Sequence, residues 1–208
     1  MKFDFNEPNE RSDDSYRYYR GKLLEKMPLL IAEGRIPVSV ADVLERRLHS
    51  ENPLWKKKKI DTGDMFVYHP DGKIKVVLDA QLLRELTPQT RFCNGAILLE
   101  DGAYEALDGA EFKLQEISTR LSVESAKTDP FWKYIARNGA LVEACFEKFF
   151  PRSSGFSDHR EGMGANLFFQ GNKPYAKTIS IGDVRFASSR LEQGGHGGGP
   201  YLLVGKKK

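Results

Sequence analysis

The sequence predicts an α+β fold: N-terminal helices, a central hairpin followed by further helices, and a C-terminal β-hairpin region rich in glycine. Three observations carry that expectation. Apolar residues recur at helical spacing within the first fifty residues and again between 129 and 150. Glycine-containing turns separate β-branched runs near residues 70 and 182. No regular strand–helix–strand alternation links these segments, which favours segregated helices and strands over a doubly wound sheet.

Asp13 or Asp14 can cap a first helix, whose buried face would be Tyr16, Tyr19, Leu23, Met27, Leu30 and Ile31. Pro28 removes a donor inside that pattern and predicts a kink or restart, and Gly34 is a C-terminal stop. Ser39 with Asp42 three residues on has capping-box spacing, and Val38 with Val43 forms a hydrophobic staple, so a second helix starts there and buries Val40, Val43, Leu44 and Leu48.

After Lys56, Lys57, Lys58 and Lys59, the runs 65–69 and 73–78 flank Pro70-Asp71-Gly72, a hairpin signal. A short helix is expected over 80–86, ending before Pro88, and a buried strand over 96–100. Residues 108–121 read as a helix. Asp108 and Glu111 have capping spacing, Leu107 and Phe112 staple spacing, and Ala110, Leu114, Ile117 and Leu121 recur helically. Asp129-Pro130 opens another helix, Asn138-Gly139 punctuates it, and the stripe from Leu141 to Phe150 stops at Pro151. Runs 175–181 and 184–187 flank Gly182-Asp183, a second hairpin, and 201–204 is a last short strand.

The domain organisation expected is a main α+β domain over 1–151 and a basic, glycine-rich β/loop segment over 152–208, standing apart or packed onto it as one domain. Net charge supports that division: −5 over 61–150 but +5 over 151–208, where 11 of the 19 glycines lie. No window approaches the length of a membrane span, and two cysteines are too few for a disulfide framework. A soluble, cytoplasmic protein is therefore expected.

Few motifs carry chemistry. The string Gly-Gly-His-Gly-Gly-Gly over 194–199 contains an H-G-G-G core similar to the oxyanion loop of lipase-type α/β-hydrolases, but no G-x-S-x-G nucleophile motif accompanies it. Asp158, His159 and His196 are the acid–base candidates. Asp61, Asp64 and Asp71 near His69 could meet a hard cation, although acids beside turns more often cap or face solvent. His49, His69, His159 and His196 are scattered and no C-x-x-C occurs, so no metal or cofactor is called for.

The leading expectation is a binding protein that meets nucleic acid or an acidic protein surface through Arg46, Arg47, Lys56, Lys57, Lys58, Lys59, Arg185, Arg190, Lys206, Lys207 and Lys208. Lysines and arginines release phosphate counterions and a tyrosine or tryptophan such as Trp55 could stack on bases, but Tyr16 and Tyr19 fall on the apolar stripe of the first helix and are expected in the core. Two rivals stand beside it: a small enzyme for a phosphorylated or anionic metabolite with the 194–199 loop at its site, and a structural subunit of a complex.

Overall fold

The computed structural model describes residues 15–57, 59–87, 89–93, 96–113, 117, 123–149, 165–166, 172–182, 185–188 and 202–208. Its centre is strand β3 (Ile60–Tyr68), every residue of which is buried. Strand β1 (Tyr16–Arg20) and strand β11 (Leu202–Lys207) pair antiparallel, and β11 continues parallel to the start of β3. On the opposite edge β3 pairs antiparallel with β9 (Tyr175–Gly182), which leads on to β10 (Arg185–Ser188) and β8 (Ala165–Asn166). Further strands attach to this path: β2 (Arg35–Pro37) on β11, β4 (Lys73–Val77) on β3, β7 (Ala110–Lys113) on β4, and the β5–β6 pair (Phe92–Cys93, Ala96–Leu98) on β9.

Helices cover both faces. Alternation along β3 sends Phe66 and Tyr68 to one side and Met65 and Val67 to the other. The first set packs with α2 (Val40–His49), α7 (Pro130–Ile135) and α8 (Gly139–Phe149) through Val43, Leu44, Phe131, Trp132 and Val142. The second packs with α1 (Leu23–Ala32), α4 (Gln81–Arg84) and α5 (Ala103–Ala106) through Leu23, Met27, Leu30, Leu83 and Tyr104. Two short helices complete the described elements, α3 (Pro53–Lys57) and α6 (Val123–Thr128).

The expected helix-led layout is thereby corrected: a mixed sheet organises the chain, and its helices are the covering layers. Two local differences account for the correction. Residues 16–20 form a strand, with Tyr19 facing α1 and Tyr16 and Tyr18 facing the opposite side. Gly21, at φ +133°, separates this strand from the helix that begins at Leu23, and Pro28 lies inside that helix without ending it. Residues 110–113 are likewise a strand, not the start of a helix. A Cβ on Gly109 would come within 2.5 Å of the Val76 carbonyl oxygen, so this glycine serves the close approach of β7 to β4.

Other expectations held. Ser39 and Asp42 form the full capping box of α2, Asp129 caps α7 through the Trp132 amide, and Gly34 takes φ +68°. The β3–β4 hairpin forms at the expected turn; β9 and β10 pair antiparallel as expected, but Gly182 lies in the ladder opposite Arg185, and residues 183 and 184 between them lie outside the described residues.

β3 changes neighbours along its length. β11 flanks it at Ile60 and Asp61, β4 flanks it from Met65 to Tyr68, and a bulge separates the two stretches. Within the bulge, Gly63 donates to the Val38 carbonyl (2.8 Å) and accepts from the Ala80 amide (2.7 Å). Bulges of this kind re-aim side chains, and here the side chain re-aimed is that of Asp64.

Candidate functional site

Arg46, on the last turn of α2, lays its guanidinium over the Tyr16 ring of β1, 4.3 Å from its centroid. Trp55, on α3, meets Tyr16 edge-on at 5.4 Å and Tyr18 at 6.2 Å. α3 carries Lys56 and Lys57 directly after Trp55, and Lys59 lies half-buried just beyond. Tyr16, Tyr18 and Arg20 alternate onto the same side of β1. Three sequence-distant segments thus build one aromatic and cationic corner. Trp55 is buried and supplies its floor, while Tyr16, Tyr18 and Arg46 remain partly exposed. An arginine on an aromatic face is held by a cation–π attraction of about 0.5–1 kcal/mol at such sites.

The remaining predicted cations separate into different roles. Arg47 is buried and turned inward: its Nε donates to the Trp55 carbonyl at 2.7 Å and its Nη2 to the Ile181 carbonyl at 3.2 Å. It ties α2, α3 and β9 together and offers no surface charge. Lys206 Nζ donates to both oxygens of Asp42 at 2.9 and 2.7 Å, completing the capping box of α2 from β11. Burial works to raise the Asp42 pKa, but the hydrogen bonds from Lys206 and Ser39 outweigh it and hold this carboxyl below its ordinary range. Lys207 and Lys208 are exposed beyond it. Arg185 belongs to β10. Lys58, Asp158, His159, Arg190 and His196 lie outside the described residues.

A second polar cluster is one that sequence reasoning does not assemble. The Asp64 side chain is fully buried and accepts from the Val40 amide at the start of α2 (2.7 Å), from the Asp79 amide (2.8 Å) and from Arg137 Nη2 (2.7 Å). Arg137 Nη1 reaches the Asp79 carboxylate at 2.9 Å. Burial pushes the Asp64 carboxyl up from its ordinary value, and the two amides and the guanidinium only partly offset it. Asp79 and Arg137 both sit in the left-handed region, at φ +50° and +58°. Through this ion pair the two strained residues tie the turn after β4 to the corner that joins α7 to α8. A single sequence offers one weak signal for such a contact, the run Arg137-Asn138-Gly139, because asparagine and glycine mark positions where the chain turns.

At the β3–β4 turn, His69 Nδ1 lies 2.6 Å from Asp71 and its ring packs on Tyr104. Asp61 accepts from the Ser180 hydroxyl at 2.5 Å within the core. Asp61, Asp64 and Asp71 are thus spread over separate contacts, and among the described residues no cluster of histidine, cysteine and carboxylate side chains could hold a metal ion. Cys145 is buried on α8, where burial pushes its thiol up to about 12, so it is protonated and unreactive at neutral pH. Among the described residues no helix is long and apolar enough to cross a membrane.

No protein-family model matches the chain, and no curated protein matches it. A solved structure does. It is described as the accommodation of massive sequence variation in Nanoarchaeota by the C-type lectin fold, and it superposes with a TM-score of 0.67 at 11% sequence identity. The match covers 95% of this chain and 100% of that one. The fold of this chain is therefore similar to the C-type lectin fold, in agreement with the sheet-centred layout.

Proposed function

We propose that this chain is a binding protein in which the mixed sheet is the scaffold and the corner of β1, α2 and α3 receives an anionic partner, nucleic acid being the partner its chemistry favours. The observation that carries the reading is the convergence of Arg46, Tyr16, Tyr18 and Trp55 at α3, the helix that carries Lys56 and Lys57, with Lys59 just beyond it. Cations draw phosphates and release their counterions, and aromatic rings beside them suit bases. The likeness to a fold described as accommodating massive sequence variation supports a scaffold reading, since such a frame keeps its shape while its surface changes.

Fluorescence anisotropy with labelled single-stranded RNA and duplex DNA, titrated with salt, tests the proposal. Affinity is expected to fall with rising salt. The pair Lys56→Ala and Lys57→Ala should reduce the log–log slope on a single strand by about 0.7 for each phosphate that is no longer neutralised. Arg46→Ala should weaken binding, whereas Lys206→Ala should leave it unchanged, because that amine is engaged by Asp42. Affinity indifferent to salt, or equal in wild type and the Arg46 and lysine variants, would reject the assignment.

A further inference from the structure

The Asn138-Gly139 pair opens α8 immediately after the clasped Arg137. Asn138 is exposed, and its Oδ1 accepts from the Ala140 amide at 2.9 Å, while its carbonyl accepts from the Val142 amide at 3.3 Å. It is the N-cap of the helix, so Gly139 falls in the first turn, where amides have no intrahelical acceptor. An exposed asparagine followed by glycine is the pair best suited to attack of the backbone on the side chain, since glycine places no Cβ in the path.

We propose that Asn138 is a spontaneous modification site, gated by its cap bond and by the Asp64–Arg137–Asp79 clasp. In the reaction, the Gly139 amide nitrogen gives up its proton to solvent and attacks Asn138 Cγ. Solvent delivers a proton to Nδ2, the Cγ–Nδ2 bond breaks, ammonia leaves and a five-membered succinimide remains. Water then opens the ring and returns a proton to the Gly139 nitrogen. Opening at Cγ gives isoaspartate's alternative, an aspartate on an unchanged backbone. Opening at the main-chain carbonyl gives isoaspartate, in which the chain runs through the side-chain carbon.

The two products differ in consequence. Aspartate at this position still caps α8 and adds a negative charge at the helix N-terminus, which is favourable. Isoaspartate lengthens the backbone beside Arg137, whose φ of +58° and two carboxylate contacts depend on the local path of the chain. Attack requires the cap bond to open. The clasp opposes this, because it fixes the residue that sets the direction of entry into α8.

The test is peptide mapping by mass spectrometry of the intact folded protein aged in mildly alkaline buffer, following conversion of amide to acid at Asn138. Asp79→Asn removes the outer ion pair while keeping a residue type that tolerates the left-handed region. Gly139→Ala is a matched control: a Cβ there meets Lys133 Cε at an ordinary 3.6 Å, and the glycine φ lies outside the left-handed region. Conversion is expected to be faster in Asp79→Asn than in wild type and suppressed in Gly139→Ala. The Asn94-Gly95 pair in the same digests reports that ageing conditions were effective. Equal rates at Asn138 in wild type and Asp79→Asn, or undiminished conversion in Gly139→Ala, would overturn the proposal.

Discussion

Replacing Arg137 by alanine probes the best-defined polar contact in the molecule. The substitution removes the guanidinium from a carboxylate whose side chain is 0% exposed, leaving Asp64 with its two amide donors. Deleting one partner of a buried ion pair costs about 3–5 kcal/mol. Arg137 itself is 31% exposed, so water reaches its side of the pair, and the retained amides at 2.7 and 2.8 Å still solvate the carboxylate. These two features bring the cost of the inner arm down to about 2 kcal/mol. The outer arm to Asp79, 47% exposed, adds no more than about 0.5 kcal/mol. Alanine keeps the left-handed strain, which costs about 1–2 kcal/mol for a residue with a Cβ. Arg137→Gly relieves that strain but gains unfolded-chain entropy, so it should be less damaging than Arg137→Ala by up to about 1 kcal/mol. Urea unfolding followed by tryptophan fluorescence measures both, since Trp132 lies in the helix beside this corner. In a chain of this size about 2 kcal/mol corresponds to a fall in Tm of roughly 4–8 °C. An Arg137→Ala protein within about 0.5 kcal/mol of wild type would show that the buried pair carries no special stability, because ordinary surface substitutions already span that range.

Three other outcomes follow from the same structure. Asp42 titrates below its ordinary value of 3.8 in the folded state, so its contribution is present above that value and is lost as pH falls through the folded pKa; Lys206→Ala should cost about 1 kcal/mol at neutral pH and flatten the acid limb of a stability–pH profile. Tyr19 is raised from 10 to about 12 by burial and by its hydrogen bond to Glu33, so stability should be complete below pH 10 and decline as pH rises toward 12. Tyr19→Phe should remove that component, as read by unfolding midpoints across the alkaline range. Gly109→Ala forces a methyl against the Val76 carbonyl and should cost about 1–3 kcal/mol in a thermal melt, where no change would show that β7 can move away from β4.

How much of this is legible in the chain depends on the range of the interaction. The caps of α2 and α7 are readable because Ser39 with Asp42, and Asp129 with Trp132, satisfy each other within three residues. The β3–β4 turn is readable for the same reason. β1 is misleading because Tyr16, Tyr19 and Leu23 happen to match a helical period, while its pairing partner β11 lies near the other end of the sequence. The central role of β11 is hidden for the complementary reason: six residues cannot announce that they will lie between β1 and β3. The same distance explains Lys206, whose sequence context suggests a phosphate-seeking cation but which binds Asp42, and Arg47, which resembles a helix-end charge but is buried on carbonyls. At the candidate corner, Arg46, Trp55 and the lysine run are legible as residue types. Their convergence on Tyr16 and Tyr18 is not, since helical spacing puts Tyr16 on a buried face. Asp64 stands out in the sequence only as an acid near a turn, because a β-bulge that aims a carboxylate into the core depends on sheet pairing and leaves no periodic trace.

If the corner of β1, α2 and α3 is the proposed polyanion site, ligand should protect it and spare the opposite face. Hydrogen–deuterium exchange of the protein with and without a saturating single-stranded oligonucleotide tests it most directly, because the readout is spatial and independent of affinity. Slowed exchange is expected over residues 16–20 and 40–57, with the α1, α4 and α5 face unchanged. Protection confined to that other face, or no protection at a concentration where anisotropy reports full binding, would contradict it.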